Sequence, residues 1–308
     1  MPSQITFQDK LGWAEHLIDK YKLDLSGLTV FTELVTGNYF FTSLIASMAG
    51  AKVIAVFKNE MLADYILMRE ETDILQRGKI ETTDDKYAIA SADIITNSGH
   101  VRPITEQDIF QMKKTAVIAA MMMPDQMRQE DIDLSACCDN GIMVVGTDEG
   151  AIGVLDSIGY KILKVLFDNG LSVWNDRYLL FASGKIGDII KNCFDKFAVS
   201  VQRVSNPQLF DAIVEGKNIG EYDAIIMAEY FFKDKIDFSF VDKRYKIINI
   251  RNGDTYITGD YLSHKVTFEL TVASLKVAEI AARQRIEGSS IEEAETHLRT
   301  NCKFYSKI

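Results

Sequence analysis

Short apolar runs alternate along the chain with longer stretches whose apolar residues recur every three or four positions. The runs are typical of buried strands, and the longer stretches are typical of helices. The runs that predict strands lie at 28–32, 52–57, 115–120, 141–145, 179–181, 198–204, 223–227 and 245–250, and the run 87–96 contains one more. The segments that predict helices lie at 5–26, 40–48, 60–78, 105–113, 131–138, 151–167, 186–194, 207–215 and 267–287, with one more short helix before residue 308.

Strands and helices therefore alternate through both halves of the chain, and this order predicts parallel sheets. A chain of 308 residues is long enough for about two domains. The expected fold is α/β, with two Rossmann-like parallel-sheet domains joined by long interdomain helices. We expect a Rossmann-like domain over 1–150, a connector helix over 151–170, a second, nucleotide-binding Rossmann-like domain over 171–264, and helices over 265–308 that pack back on the first domain.

A turn of small residues follows the apolar run at 178–181, and a helix is predicted after it. The three glycine positions of the dinucleotide-binding fingerprint fall here on Ala182, Gly184 and Gly187, so two of the three match. Such a turn directs backbone N–H groups and the helix dipole at one point, where a phosphate binds. The alternative is a purely structural strand-to-helix turn. The residues predicted to contact a cofactor are Ala182, Ser183, Gly184, Lys185, Ile186, Gly187, Gln202, Arg203 and Asn249.

The identity of the cofactor depends on the end of the next predicted strand. An acidic residue about 20 positions after the fingerprint usually binds the ribose hydroxyls of NAD. Gln202 and Arg203 stand there instead. An arginine at this position suits a 2′-phosphate, which favours NADP over NAD. A solvent-exposed arginine without a ligand is the alternative.

Three residues are candidates for catalysis. His264 precedes the C-terminal helix, and His100 follows a predicted strand, where ligands gather in parallel sheets. An imidazole titrates near neutrality and can relay a proton. Arg251 can hold a carboxylate through two hydrogen bonds. A surface histidine and a loop arginine are the structural alternatives.

Polar residues after the predicted strands of the first half are candidates for binding a substrate. Ligands of open α/β sheets bind outside the carboxyl ends of the strands. We therefore expect a small polar or carboxylate substrate in the cleft between the domains. The candidate substrate-binding residues are Glu33, Thr36, Gly37, Asn97 and Arg102.

Charge and composition exclude several classes of partner. The formal net charge is −10, which argues against nonspecific binding to nucleic acid. No apolar run approaches the roughly 20 residues of a membrane span. The first residues lack the basic and apolar blocks of a signal peptide, so a cytoplasmic location is expected.

The cysteines and histidines do not indicate a metal site. The spacing of the four cysteines and four histidines matches no zinc or redox motif. We expect one buried and one exposed thiol at the adjacent Cys137 and Cys138. The methionine-rich segment 121–127 can fill a core, line an adaptable pocket or, with the apolar C-terminal helix, belong to a homodimer interface.

Two families resemble parts of this sequence. The dinucleotide domain of S-adenosylhomocysteine hydrolases resembles two segments of this chain, SADIITNSGHVRPITEQDIFQMKKTAVIAA and GNYFFTSLIASMAGAKVIAVF. Similarity to D-isomer-specific 2-hydroxyacid dehydrogenases lies in two other segments, DIDLSACCDNGIMVVGTDEGAIGVLDSIGYKIL and YKIINIRNGDTYITGDYL. The second is similar to the segment that carries the catalytic arginine of these dehydrogenases, which Arg251 matches here. The resemblance covers patches of 28–150 and 178–264. It implies a divergent NAD(P)-binding chain with two domains.

Three functions are consistent with these observations. The first is an NAD(P)-binding oxidoreductase-like protein that transfers a hydride, with His264 or His100 as acid or base and Arg251 orienting the substrate. The second is a nucleotide-binding or assembly protein without catalysis, because only Gly37 lies near the first-half turn and the dehydrogenases' catalytic acid has no counterpart. The third, implied by the hydrolase resemblance, is a hydrolase or lyase with a tightly held NAD.

Overall fold

The computed structural model describes residues 6–34, 40–57, 80–124, 127–128, 130–206, 221–228, 246–249 and 264–308. The chain forms two compact units, the first comprising Met1–Ile152 with His264–Ile308 and the second comprising Gly153–Ser263. Each unit contains a sheet with parallel strands, so the predicted α/β class with two parallel-sheet units is confirmed. Within the described residues, none of the helices has the length and apolar character needed to cross a membrane.

The elements are numbered in chain order. The described strands are β1 (Thr29–Glu33), β2 (Lys52–Val56), β3 (Ile80–Thr83), β4 (Ile94–Thr96), β5 (Val117–Ala119), β6 (Met143–Thr147), β7 (Arg177–Phe181), β8 (Ser200–Val204), β9 (Ala224–Met227), β10 (Lys246–Asn249) and β11 (Tyr305–Lys307). The described α-helices are α1 (Phe7–Tyr21), α2 (Phe40–Met48), α3 (Glu106–Gln111), α4 (Leu134–Asn140), α5 (Asp156–Asp168), α6 (Gly184–Lys196), α7 (His264–Ile286) and α8 (Ile291–Asn301), with 3₁₀ turns at Lys86–Ser91 and Gly99–Val101.

The first unit is built on a seven-stranded sheet in the order β11-β6-β5-β4-β1-β2-β3. Its neighbouring strands pair in parallel, except that β11 is antiparallel to β6. Strands β1 to β6 thus have the spatial order 3-2-1-4-5-6 of a doubly wound sheet. The order reverses between β1 and β4, and a ligand of such a sheet binds at the carboxyl ends of the strands next to this point.

Both faces of this sheet are covered by helices, which explains its continuous apolar runs. Val30 and Ile94 point to the face packed by α1, α2 and α7. Phe31 and Ile95 point to the opposite face, which α3 and α4 cover. Side chains alternate between faces along a strand, so each apolar run contributes to two cores.

Helix α7 is part of the core of the first unit. Its Phe268 is fully buried, and the ring centroid lies 4.5 Å from that of Phe41 and 6.4 Å from that of Trp13. Val272, Leu275 and Ala278 are also fully buried in the same cluster. The C-terminal segment therefore closes one face of the N-terminal sheet.

The second unit contains a four-stranded sheet in the order β10-β9-β7-β8, and all its pairs are parallel. Residues Tyr178 to Phe181 of the central strand β7 are fully buried. The Tyr178 hydroxyl donates a hydrogen bond to the Ser172 carbonyl at 2.7 Å, which satisfies its polar end. Helix α5, expected as a connector, belongs to this unit.

Some elements differ from the expectations. The strand expected within 87–96 is the short β4, which follows a 3₁₀ turn, whereas strand β6 ends at Thr147 rather than at 145. His264 is the first residue of α7 and does not precede it. Strands β3 and β11 were not predicted, because neither carries an apolar run. The predicted helices at 60–78 and 207–215 lie outside the described residues.

Candidate functional site

The turn after β7 has the geometry that the glycine spacing predicts. Helix α6 begins at Gly184, directly after Ala182 and Ser183. Gly184 has φ +54°, and a Cβ built there meets no atom within 4 Å, so the turn is open on this side. Ser183 occupies the N-cap position with extended backbone and makes no side-chain cap hydrogen bond. The first-turn N–H groups, which have no partner within the helix, are therefore not capped by this hydroxyl.

Gly187 provides space for the guanidinium of Arg203. A Cβ at position 187 would lie 2.4 Å from Arg203 Nη2, which is closer than van der Waals contact allows. Arg203 Nε donates to the Ala182 carbonyl at 2.9 Å, and Nη2 donates to the Gly184 carbonyl at 3.1 Å. The same side chain forms an ion pair with Asp188. Arg203 thus links β8 to the turn and compensates the negative charge of Asp188.

Strand β8 ends at Val204, where the sequence predicts the end of this strand. Gln202 and Arg203 are therefore among its last three residues. Gln202 is exposed and accepts a hydrogen bond from the Tyr222 hydroxyl. The residues that follow the strand are Ser205 and Asn206, which are polar and uncharged. The preference for NADP inferred from Arg203 stays a prediction.

The remaining cofactor candidates lie along the same edge of the sheet. Asn249 is the last residue of β10, and parallel strands present their carboxyl ends together. Lys185 and Ile186 contribute backbone to the first turn of α6. The structure therefore places Ala182, Gly184 and Gly187 at one turn.

A second group of polar residues lies at the carboxyl ends of β1 and β4 in the first unit. Glu33 is fully buried and Asn97 is 2% exposed. The Thr96 hydroxyl donates to that of Thr32 at 2.8 Å and lies 2.9 Å from that of Ser98. These residues flank the point where the strand order reverses. Two of the predicted substrate-binding residues, Glu33 and Asn97, are thus brought together.

Arg102 belongs to a different contact. Its Nη1 lies 3.5 Å from Asp131 Oδ2, and Arg128 Nη2 donates to Asp131 Oδ1 at 2.7 Å. Burial alone would raise the pKa of Asp131, but the hydrogen bonds from Arg128 and the charge of Arg102 outweigh it and lower the pKa. Arg102 therefore has an acidic partner within its own unit, which the sequence did not reveal.

The other candidates are described only in part. Thr36, Gly37 and Arg251 lie outside the described residues. The backbone of His100 lies in the 3₁₀ turn Gly99–Val101, and that of His264 begins α7. In the described parts of the chain, no group of three or more His, Cys, Asp or Glu residues could hold a metal ion.

The adjacent thiols differ in exposure, as predicted. Cys137 is buried and Cys138 is exposed. Burial raises the pKa of Cys137 to about 12, and it also raises the pKa of Cys193 and Cys302.

At pH 8 we expect one thiol of the native protein, Cys138, to react rapidly with Ellman's reagent, because the thiolate is the reacting species. The Cys138→Ser variant should lose this rapid phase, and guanidinium should expose the remaining thiols. A rapid phase of unchanged size in Cys138→Ser would contradict the burial of the other three thiols.

The raised pKa of Cys137 also makes the stability of the protein depend on pH. Because an unfolded thiol ionises near pH 8.5, the free energy of unfolding should fall as the pH rises from about 9 towards 12.

The strand order of the first sheet and the turn between β7 and α6 together define a doubly wound α/β protein of the Rossmann type. The crystal structure of a dipicolinate synthase subunit from Bacillus halodurans is similar, with 11% sequence identity, 81% of this chain and 96% of that chain covered, and a TM-score of 0.51. The expectation of a divergent chain with a two-unit Rossmann-type fold is therefore confirmed.

More distant likenesses are found to oxidoreductases. Phosphoglycerate oxidoreductase from Vibrio cholerae matches at 9% identity, covering 84% of this chain and 98% of that chain, with a TM-score of 0.42. A putative D-3-phosphoglycerate dehydrogenase from Ralstonia solanacearum matches at 12% identity, covering 73% of each chain, with a TM-score of 0.35. These scores are too low to support a conclusion. No protein-family model and no curated protein sequence matches the chain significantly.

Proposed function

We propose that the chain is an oxidoreductase-like protein that binds a nicotinamide dinucleotide, NAD(H) or NADP(H), at the turn between β7 and α6. The observation that carries the proposal is the open start of α6 at Gly184, beside the central strand of a parallel sheet. A pyrophosphate bound there would accept hydrogen bonds from first-turn N–H groups and lie at the positive end of the helix dipole.

The Arg203–Asp188 ion pair supports anion binding at this turn. Asp188 on its own would repel a phosphate near the start of α6. Arg203 is paired with Asp188 and is also hydrogen-bonded to the carbonyls of Ala182 and Gly184. The negative charge of Asp188 is therefore compensated at the turn. The preference for NADP over NAD, which the sequence predicts from Arg203, is part of this proposal, and comparison of NADPH with NADH tests it.

Substrate chemistry would require residues beyond this turn. We assign proton transfer to His264 or His100 and orientation of a small polar or carboxylate substrate to Arg251. Each of these roles is tested by replacement with alanine once a substrate is known. The hydride itself would be carried by the nicotinamide ring when the cofactor is bound.

The test is a calorimetric titration of the full-length protein with NADPH, NADH and, as a polyphosphate control, ATP. We expect saturable binding of NADPH or NADH that is at least about tenfold tighter than that of ATP, which corresponds to about 1.4 kcal/mol. Equal affinity for all three would mean that the turn recognises phosphate alone. Absence of NADPH and NADH binding at millimolar concentration would overturn the proposal, unless mass spectrometry of the denatured protein reveals a cofactor already held.

A further inference from the structure

A cavity of about 540 Å³ lies between helices α5 and α6 in the second unit. Its volume is within the range of small-molecule sites, roughly 300–1,000 Å³. Helix α5 contributes one acidic and one aromatic side chain, and helix α6 contributes the other lining residues. The residues that line the cavity are Asp156, Tyr160, Ile189, Asn192, Cys193, Asp195 and Lys196. The cavity is therefore a groove between two helices.

The two helices come into close contact at Gly159 and Cys193. A Cβ at position 159 would lie 2.3 Å from the Cβ of Cys193, so this approach needs a glycine. Further along, the ring centroids of Tyr160 and Phe197 lie 6.3 Å apart in an edge-to-face arrangement. Residue numbers rise together on both helices from the first contact to the second. Helices α5 and α6 therefore run side by side in the same direction, and positions on one can be compared with positions on the other.

Three polar side chains along this groove make no hydrogen bond or ion pair within the part of the chain that the structure describes: Asp156, Asn192 and Lys196. All three residues are exposed. The other carboxylate of the groove, that of Asp195, is paired with Lys191 one turn before it. The groove thus offers a ligand one carboxylate from α5, and one carboxamide and one ammonium group from α6.

The spacing of these three groups follows from the close contact between the helices. Asp156 lies three residues before this contact, Asn192 one residue before it and Lys196 three residues after it. At a rise of 1.5 Å per residue, the carboxylate and the carboxamide are separated by about 3 Å along the helices, and the carboxamide and the ammonium group by about 6 Å. An extended dipeptide spans roughly 7 Å, with its peptide bond between its two terminal charges. The flexible Lys196 side chain can reach over the remaining distance.

We propose that this groove binds a zwitterionic dipeptide in an extended conformation. The ammonium group of the ligand donates hydrogen bonds to the Asp156 carboxylate, and its carboxylate accepts them from Lys196 Nζ. Its peptide bond pairs with the Asn192 carboxamide, which has both a donor and an acceptor. An apolar side chain of the ligand packs against Tyr160 and Ile189. A ligand with a single charge would leave one of the two charges of the groove without a partner.

This site does not rest on the proposed cofactor function. Its residues on α6 begin at Ile189, five positions after Gly184, where the helix starts. Dipeptide binding is therefore measured without cofactor, and its failure would leave the cofactor proposal unaffected.

Four probes separate the contributions of the two charges and of their spacing: glycyl-leucine, N-acetylglycyl-leucine, glycyl-leucinamide and free leucine. Each is titrated into the full-length protein labelled at isoleucine methyl groups, and the NMR signal of Ile189 reports binding, because Ile189 lines the groove. We expect glycyl-leucine to bind with a Kd of about 1 mM or lower, and each of the other three to bind at least about tenfold more weakly. Leucine carries both charges but is too short to reach from one to the other.

Two variants locate the two charges. Asp156→Asn should weaken the binding of glycyl-leucine at least about tenfold, but it should not weaken that of N-acetylglycyl-leucine, which has no ammonium group. Lys196→Gln should likewise weaken the binding of glycyl-leucine and not that of glycyl-leucinamide, which has no carboxylate. Asp168→Asn makes the same change at an exposed residue of α5 that does not line the groove, and it should leave all four affinities unchanged.

Three results would overturn the proposal. The first is equal affinity for the four probes, which would mean that the groove recognises apolar surface alone. The second is an unchanged affinity of Asp156→Asn or Lys196→Gln for glycyl-leucine. The third is an Ile189 signal that does not move at about 10 mM glycyl-leucine, ten times the weakest expected Kd.

Discussion

Replacing Phe268 with alanine is expected to lower the free energy of unfolding by about 3–5 kcal/mol, the usual cost of truncating a fully buried aromatic residue. Its ring is 0% exposed and packs against Phe41 and Trp13, so the substitution leaves a cavity between α1, α2 and α7. Urea denaturation followed by tryptophan fluorescence measures the change, and Trp13 reports directly from this cluster.

Phe167→Ala is the matched control for this prediction. Phe167 lies in α5 of the other unit and is 51% exposed. Its truncation should cost less than about 1 kcal/mol, because little apolar area returns to water. If Phe268→Ala were no more costly than Phe167→Ala, α7 would not be part of the first core.

Replacing Gly184 with valine is expected to weaken NAD(P)H binding roughly 10- to 150-fold, the equivalent of one charge-assisted hydrogen bond of about 1.5–3 kcal/mol. The new side chain would occupy the open space where a phosphate approaches the first turn of α6. Valine at φ +54° also strains the backbone, at a cost of about 1–2 kcal/mol in stability. Titration calorimetry and thermal unfolding measure the two effects separately.

Gly170→Val separates strain from ligand binding. Gly170 follows α5 in the same unit, has φ +69°, and a Cβ there also meets no atom within 4 Å. The two variants should therefore lose similar stability, while only Gly184→Val loses affinity for the cofactor. Equal loss of affinity in both would show that strain in the unit, and not the turn, determines binding.

The sequence was most informative where packing is dictated by a local pattern. Strands such as β2 and β7 are buried on both faces and read as continuous apolar runs. Strand β3 is an edge strand with the sequence IETT, and β11 has the sequence YSK; both are partly exposed and therefore lack this signal. Their pairing depends on neighbours that are distant in sequence.

The candidate site was predictable in part for the same reason. The glycine spacing at Gly184 and Gly187 depends on local geometry, and the turn is where the spacing predicts it. The contacts of Arg203 were not predictable, because they arise from the register that sets Leu180 opposite Arg203. The pairing of Arg102 with Asp131 likewise joins two loops that no local pattern connects.

Hydrogen–deuterium exchange of the full-length protein, with and without saturating NADPH or NADH, tests cofactor binding at the second unit most directly. Binding at the turn predicts slower exchange of the backbone amides at 182–187, whose first-turn N–H groups would be held by the phosphates. It predicts little change at Thr29–Glu33 and Ile94–Thr96 of the first unit. Saturable binding without protection at 182–187, or with protection confined to the first unit, would contradict it.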